Sequence, residues 1–325
     1  MTRWWAAVSD LSLRRRLRPA LGLLPPGSGL LVAVSGGQDS LCLLKLLVDL
    51  APERGLHLHV GHLDHRWRPG SERDAQRVAV LCNVWGVPFH LEIARTPPAS
   101  EAAARAWRYC WLEQIARGLA LERVVTGHTL SDRAETVLFN LLRGSGGAGL
   151  GSLDWERPLG GGVRLVRPLL GITRAETGAY CLAHHLPICI DESNANLTFR
   201  RNRIRLELMP YLREHFNPLV EQTLARTGDI LHAESELLES LLDEHWHSLV
   251  QEGRLHRNTL AALPLALQRR AVRRWLSVGL GRQPNFEHIA AVLGCLSAPN
   301  RTRTSPLAHS LLVEVQGEWL GLVGG

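Results

Sequence analysis

In the first part of the chain, short apolar runs alternate with longer stretches in which apolar residues recur every three or four positions. The runs, residues 30–34, 56–63, 88–94 and 123–126, have the length of buried strands. Between them, residues 40–50, 72–85 and 101–118 carry the helical period; in the first of these Leu41, Leu44, Leu47 and Val48 share a face, with Lys45 beside them. Ser71 with Asp74 predicts a capping box for the second helix, and Ser100 predicts a cap for the third. This alternation implies an α/β domain, a parallel sheet with helices on both faces. Ligands bind such sheets at the carboxyl ends of the strands. The stretches at those ends are "SGGQDS", "GHLDHRWRPGS", "ARTPPAS" and "TGHTLSDRAET", and three of the four are dense in His, Asp, Arg and Ser.

A helix carrying Glu135, Val137, Leu138 and Leu141 leads into a glycine-rich stretch, residues 141–153, too irregular for a regular element. "GGVRLVRPLL" predicts a strand, and "TRAETGAYCLAHH" a helix opened by a capping box of Thr173 and Glu176. From Pro218 the character changes. Residues 219–252 keep a helical period with no proline, enough for a helix of about 50 Å. The expected domains are therefore 1–216 and 217–325, the second a long helix and a smaller, mostly helical domain. Helical patterns at 265–277 and 285–297 precede "SLLVEVQGEWLGLV", which predicts a hairpin turning at Gln316-Gly317.

Composition narrows the class. Of 325 residues, 45% are hydrophobic and 21% charged, the balance of a globular protein. No apolar run has the length of a membrane span. "MTRWWAAVSDLSLRRRLRPALG" lacks a signal-peptide pattern and reads as a short surface helix, an Arg-rich transit segment being the other reading. Cys42, Cys82, Cys110, Cys181, Cys189 and Cys295 form no C-x-x-C pair and read as core thiols in a reducing cytoplasm. The formal charge of +6 suits a polyanionic partner, although GC-rich coding explains the Arg excess equally, since Lys45 is the one lysine.

The chemistry gathers at the strand ends. "SGGQDS" joins a strand to a helix through glycines, which leaves helix N-terminal N–H groups open to an anion. It is not the lysine-bearing loop of kinases and GTPases. Asp39 in its place makes sense if it holds Mg²⁺. Such a loop suits a pyrophosphate leaving group, with attack at the α-phosphorus. A plain strand-to-helix turn is the alternative. Asp64, His65 and Arg68 stand at the second strand end, where a solvated loop explains them equally. Asp132 and Glu135 share one face of a helix start, as catalytic acids or as caps. Arg105 and Arg108 lie one turn apart, and Arg201 and Arg205 share a face with Arg203 offset, near Asn194 and Asn202; each set also fits a solvated face.

Taken in order, these stretches resemble the tRNA(Ile)-lysidine synthetase family of the PP-loop ATP pyrophosphatases. The resemblance runs through "VAVSGGQDS", "LDHRWRPGS", "ARAWRYCWL", "TGHTLSDRAETVLFNLLRGSGGAGL", "VRPLLGITRAETGAY" and "DESNANLTFRRNRIRLELMPYL". It implies an adenine nucleotide alpha hydrolase-like fold in which ATP adenylates the wobble cytidine of a CAU anticodon. The ε-amine of free L-lysine then displaces AMP to form lysidine. It assigns ATP to Ser35, Gly36, Gly37, Gln38, Asp39, Ser40, Asp64, His65, Arg68, Gly127 and His128. Catalysis falls to Asp39, Asp132 and Glu135, with Mg²⁺ on Asp39. Arg105, Arg108, Arg143, Arg201, Asn202, Arg203 and Arg205 would meet tRNA or lysine. Apart from the resemblance, Arg269, Arg270, Arg273 and Arg274 read as a second hold on tRNA or as a solvated face. The implied partners are tRNA(Ile) and lysine in the cytoplasm, with no membrane; a homodimer is left open. Two departures stand out: the usual Asp-Asp reads Ser131-Asp132, and the usual Gln after it is Arg133. The rival readings are a PP-loop tRNA thiolase, which would need reactive cysteines, and a non-catalytic nucleotide-responsive RNA-binding module, which would not need Asp39, Asp132 and Glu135.

Overall fold

The computed structural model describes residues 10–67, 70–151, 153–189, 195–307 and 311–324. Helix α1 (Asp10–Leu17) buries Leu13 and Leu17 and turns Arg14 toward Asp49 and Glu53, so the predicted surface helix is docked along one side. The alternation then follows as predicted: β1 (Gly29–Ala33), α2 (Gln38–Arg54), β2 (His57–Asp64), α3 (Ser71–Val84), β3 (Phe89–Ile93), α4 (Glu101–Gly118) and β4 (Arg123–Thr126). Ser100 caps α4, its hydroxyl accepting the Ala103 N–H at 3.1 Å. Ser71 is not a cap. Gly70, at φ +87°, occupies that position, and Ser71 is the first helical residue.

After β4 come α5 (Leu130–Leu142), a single turn α6 (Gly147–Leu150) within the glycine-rich stretch, β5 (Glu156–Gly160), β6 (Val163–Val166) and α7 (Arg174–Ala183). β5 escaped the sequence pattern because it is a polar edge strand containing Pro158, a position where a missing N–H costs no ladder bond. The sheet order is β3-β2-β1-β4-β6-β5, parallel except for the β5–β6 hairpin. β1 sits in the middle, so Leu30, Leu31 and Val32 are buried on both faces. One face packs on Leu44 and Leu47 of α2 and Tyr180 of α7, the other on Trp111 and Leu112 of α4. The chain runs outward from β1 to β3 and resumes on the other side of β1 at β4. That reversal opens a crevice between the loops after β1 and β4.

α8 (Arg200–Arg203), a π-helical turn (Ile204–Leu208) and α9 (Met209–His215) follow without a break as one helix. α10 (Val220–Leu249) is the long helix the pattern predicted. Contacts divide the chain into a unit ending at Asp229 and a unit beginning at Ile230, so the division falls inside α10 rather than at its start. The physical reason is that Glu221 and Asp229, on the first turns of α10, bond to residues of the first unit.

The second unit holds β7 (Val250–Gln251), β8 (Arg254–His256), α11 (Arg257–Ala261), α12 (Leu265–Leu280), α13 (Phe286–Gly294), β9 (Leu311–Gln316) and β10 (Trp319–Gly324). Its strands form an antiparallel sheet, β7-β8-β10-β9, and its own core includes Leu242, Val272, Trp275 and Val313. The final hairpin forms, but Gln316 pairs with Trp319, so the turn is Gly317-Glu318 rather than Gln316-Gly317. Gly317 supplies the positive φ, +66°.

The arginines of α12 are largely matched by acids of α10 within this unit. Arg270 donates to Glu239 at 2.6 Å and to Ser235 at 3.1 Å, Arg273 lies 3.6 Å from Glu239, and Arg274 pairs with Asp243. Arg269 has no carboxylate partner among the described residues and stacks over Phe286. Arg270→Gln should therefore cost about 1 kcal/mol of stability in urea denaturation, whereas Arg269→Gln should cost less than about 0.5 kcal/mol.

Candidate active site

β1 ends at Ala33, and the chain crosses to α2 through Val34–Gly37 without a side-chain cap on the helix. The first N–H groups of α2 are thus left for an anion, and the macrodipole favours one there. Gly37 has room beside it. Gly36 does not serve the anion as expected: at φ +84° it faces the protein, and a Cβ there would stand 2.9 Å from Cys189 Sγ. Ser40 is also turned inward. Its hydroxyl donates to Gly37 O at 2.9 Å and accepts from Ser35 N at 3.2 Å, so it holds the loop closed. Ser35 is exposed, with its hydroxyl 3.2 Å from that of Ser40 and accepting the Gly37 N–H at 3.3 Å. The Gln38 side chain reaches α7, donating to Arg174 O at 2.6 Å and Thr177 Oγ1 at 2.8 Å. Its amide is thus engaged on α7 rather than turned to the loop.

The loop after β4 closes on this one through Gly127. A Cβ there would lie 2.9 Å from Asp39 O and 3.0 Å from Ser40 N, so only glycine lets the two backbones approach. His128 follows, half-buried, with Nδ1 2.9 Å from Thr126 Oγ1. Across the crevice, β2 ends in Asp64 and His65. His65 stacks on Trp67 at 5.2 Å between ring centroids, and Arg108 approaches its Nε2 at 3.3 Å. Asp64 Oδ2 and His65 Nδ1 are buried without a hydrogen-bond partner among the described residues, an arrangement that a bound polar group would relieve. Burial and Arg108 push the His65 pKa down to about 4. These residues line one cavity of about 750 Å³, within the range of small-molecule sites.

The charged centre of the cavity is Arg174, the first residue of α7. Each guanidinium nitrogen serves a different carboxylate: Nε to Asp39 Oδ2 at 3.2 Å, Nη2 to Asp132 Oδ1 at 2.6 Å, Nη1 to Glu135 Oε1 at 2.7 Å. Arg205 grips Glu135 with two bonds of 3.0 Å, and Arg201 Nε lies 3.7 Å from the same carboxylate. Asp132 divides its oxygens. Oδ2 caps α5, accepting Thr129 N at 2.9 Å and Thr129 Oγ1 at 2.8 Å, while Oδ1 joins the arginines. The capping reading of this acid holds, and its second oxygen faces the cavity beside Arg174. Burial opposes its charge, but Arg174, His128 and the Thr129 N–H outweigh burial and hold its carboxyl well below the usual range. In Asp39, burial and Asp132 win over Arg174 and the pKa is raised.

Residues 12–212 match the PP-loop domain family, and residues 255–313 match the TilS substrate binding domain. The tRNA(Ile)-lysidine synthase of Nostoc sp. is 48% identical over 91% of this chain and 91% of its own. That of Synechocystis sp. is 47% identical over 90% of this chain and 91% of its own. The chain belongs to the tRNA(Ile)-lysidine synthase family. The chain also resembles in fold the U34-tRNA thiolase NcsA from Methanococcus maripaludis with its 4Fe-4S cluster, at a TM-score of 0.59 and 17% identity over 69% of this chain and 78% of that one.

Both departures from the pattern of the lysidine synthase family have a partner on α10. Ser131 accepts the Arg174 N–H at 3.0 Å and donates to the buried Glu221 at 2.7 Å, which Arg213 also pairs. Arg133 pairs with Asp229, one bond measuring 3.0 Å. A carboxylate of α10, that of Glu221, thus stands behind the Ser131 hydroxyl, outside the cavity lining. Sequence reasoning passed over Arg174 and Glu221. Arg174 had one signal: a cation in the first turn of a helix opposes the macrodipole and calls for another partner.

The remaining predicted residues scatter. Glu135 lies beneath Arg174, outside the cavity lining, and Arg205 and Arg108 reach the cavity. Arg105 stays outside, 5.1 Å over Tyr109. Asn202 holds Asn196 O at 2.9 Å. Arg203 pairs with Glu207 at 3.1 Å, and Arg143 stacks over Phe139. Arg68 and Asn194 lie outside the described residues. Of the thiols, Cys110 is exposed rather than core, and Cys189 lines the cavity. Burial, with Asp74 beside it, raises the Cys189 pKa.

Two outcomes follow. Ser131→Asp would face Glu221 with a like charge and should cost about 2 kcal/mol or more. Adding Glu221→Gln should restore most of it, read as urea midpoints in a double-mutant cycle. Burial holds His128 neutral down to about 3, against Asp132 and with Arg167, Arg105 and Arg201 opposing its protonation. The folded state binds fewer protons than the unfolded chain below the ordinary histidine value of 6.5. Stability should therefore fall as pH drops from about 6.5 toward 4, and His128→Gln should flatten that slope.

Proposed function

We propose that the chain ligates lysine to C2 of the wobble cytidine in the CAU anticodon of tRNA(Ile), using ATP. The observation that carries this reading is the shared guanidinium of Arg174, which joins the acid of the anion loop to Asp132 within one cavity and to Glu135 beneath it. Phosphate chemistry and amine chemistry thereby have one address. The cytidine O2 attacks the α-phosphorus of ATP, pyrophosphate leaves, and an O-adenylated cytidine forms. The lysine ε-amine then attacks C2, AMP leaves, and the nitrogen loses a proton.

This chain's residues support each part. The open N–H groups at the start of α2 receive the leaving pyrophosphate, with Ser35 as a hydroxyl donor at the loop's edge. Mg²⁺ commonly binds through one or two carboxylates plus substrate phosphates, and no cluster of three metal-ligating side chains occurs among the described residues. Asp39 is the carboxylate that would hold the ion against the phosphates, where it would offset their charge. The stacked His65 and Trp67 offer an aromatic wall to a base.

Asp132 and Glu135 now face Arg174, Arg201 and Arg205, so a lysine cation must compete with guanidinium for them. ATP phosphates offer those guanidiniums another partner. ATP therefore enters first and opens the carboxylates to the amine. Among the described residues no helix is long and apolar enough to cross a membrane, and the reading places the enzyme in the cytoplasm with its tRNA and free lysine.

Incubation with tRNA, ATP and lysine, followed by mass spectrometry of the anticodon nucleosides, should yield a lysine-bearing cytidine; unmodified cytidine would sink the reading. Asp39→Asn should abolish pyrophosphate release. Lysine should bind at least about tenfold more tightly when a non-hydrolysable ATP analogue is present, by calorimetry; equal affinity would remove the ordered entry.

A further inference from the structure

The helix spanning residues 200–215 has two working faces. Arg205 and Leu206 line the catalytic cavity. On the other face Arg200, Arg203, Ile204, Glu207, Leu208 and Tyr211 recur at three- and four-residue steps. They meet Phe139, Leu142 and Arg143 at the end of α5 and enclose a second groove of about 640 Å³. The two cavities are thus separated by one helix, a width of about 10 Å.

The lining is apolar below and cationic at the rim. Tyr211 is 54% exposed and Leu142 68% exposed, a large apolar surface for residues beside a catalytic cavity. Arg143 and Arg200 have no carboxylate partner among the described residues; Glu207 is matched by Arg203 at 3.1 Å. The groove therefore presents aromatic faces with a net positive rim. That combination fits an aromatic ring carrying a phosphate, the ring on the apolar floor and the phosphate at the cationic rim.

We infer that this groove receives an unpaired nucleotide of the substrate RNA next to the reacting cytidine. Its base stacks on Tyr211 over the apolar floor, and its phosphates meet Arg143 and Arg200. A strand whose reacting base enters the catalytic cavity lays its neighbour across the 200–215 helix, so one helix positions both: Arg205 holds the reaction's carboxylates and Tyr211 holds the flanking base. This rests on the proposed tRNA substrate and adds a binding site to it. Stacking on exposed aromatic side chains with Arg beside them is the general mode by which single-stranded RNA is held.

The test uses the full chain and an anticodon stem-loop RNA with 2-aminopurine replacing the adenine of the CAU triplet. Fluorescence should be quenched on binding to the wild type. Tyr211→Ala should abolish the quench and raise the KM for RNA about tenfold, the scale of one lost stacking contact, with the KM for ATP unmoved. Tyr211→Phe should retain both. Arg143→Gln and Arg200→Gln should weaken binding and lower the salt slope by about one each. Wild-type affinity, quench and salt slope in all these variants would overturn the groove as an RNA site, as would sedimentation showing that it closes a dimer which persists when RNA is bound. Lysidine formation on the unlabelled stem-loop is read in parallel. Lysidine formed with variants that bind normally refutes the groove alone; a Tyr211-dependent quench without lysidine refutes the proposed reaction and keeps the groove.

Discussion

Three carboxylates lie within reach of one guanidinium, and much of the first unit is arranged to keep that guanidinium in place. Asp39, Asp132 and Glu135 would repel one another in a partly desolvated cavity if nothing stood between them. Arg174 meets each with a separate nitrogen. Its backbone is held in turn: the Thr173–Glu176 box caps α7, Ser131 accepts its N–H, and Gln38 donates to its carbonyl. Gly178 leaves room for that glutamine, since a Cβ there would stand 3.0 Å from Gln38 Oε1. The attachment of α7 to α2 is therefore part of the charge balance as well as part of the core.

The anion loop owes its shape to contacts that never touch a ligand. Ser40 closes it from inside, Gly36 packs against Cys189, and Gly127 brings the β4 loop against the backbone of Asp39. What remains for an incoming phosphate is backbone N–H, which cannot be repositioned by a rotamer change. Preorganised donors of this kind cost little further ordering when the ligand binds.

α5 is tied to α10 by two pairs, Ser131–Glu221 and Arg133–Asp229, at the positions where this chain departs from the family's pattern. Ser131 accepts the Arg174 backbone N–H, and Glu221 stands behind its hydroxyl. The substitutions are local in sequence but are balanced by a helix some ninety positions later, and neither is intelligible without its partner. On the other side of α5, the 200–215 helix divides the space beside the site into a charged cavity and an apolar groove.

Periodicity and turn residues were sufficient for the order of elements from β1 to α5 and for β6 and α7, because strand and helix periods are local and the capping residues, Ser100 and Thr173, act within four positions. The strand-end loops, the long helix and the final hairpin were legible for the same reason. The edge strand with Pro158 was not, since its pairing comes from β6 and not from its own pattern. Which polar residues of the loops become a site was decided only by the tertiary structure. Asp132 and Glu135 share a face by spacing, but their partners Arg174 and Arg205 arrive from elements 39 and 70 positions away. Arg105 and Arg108 looked equivalent, yet only Arg108 turns into the cavity, because α4 packs on the sheet through Trp111 and Leu112 and its rotation is set there. Local pattern determines the backbone; the sign and neighbours of each charge depend on packing between distant segments, which no single stretch of sequence contains.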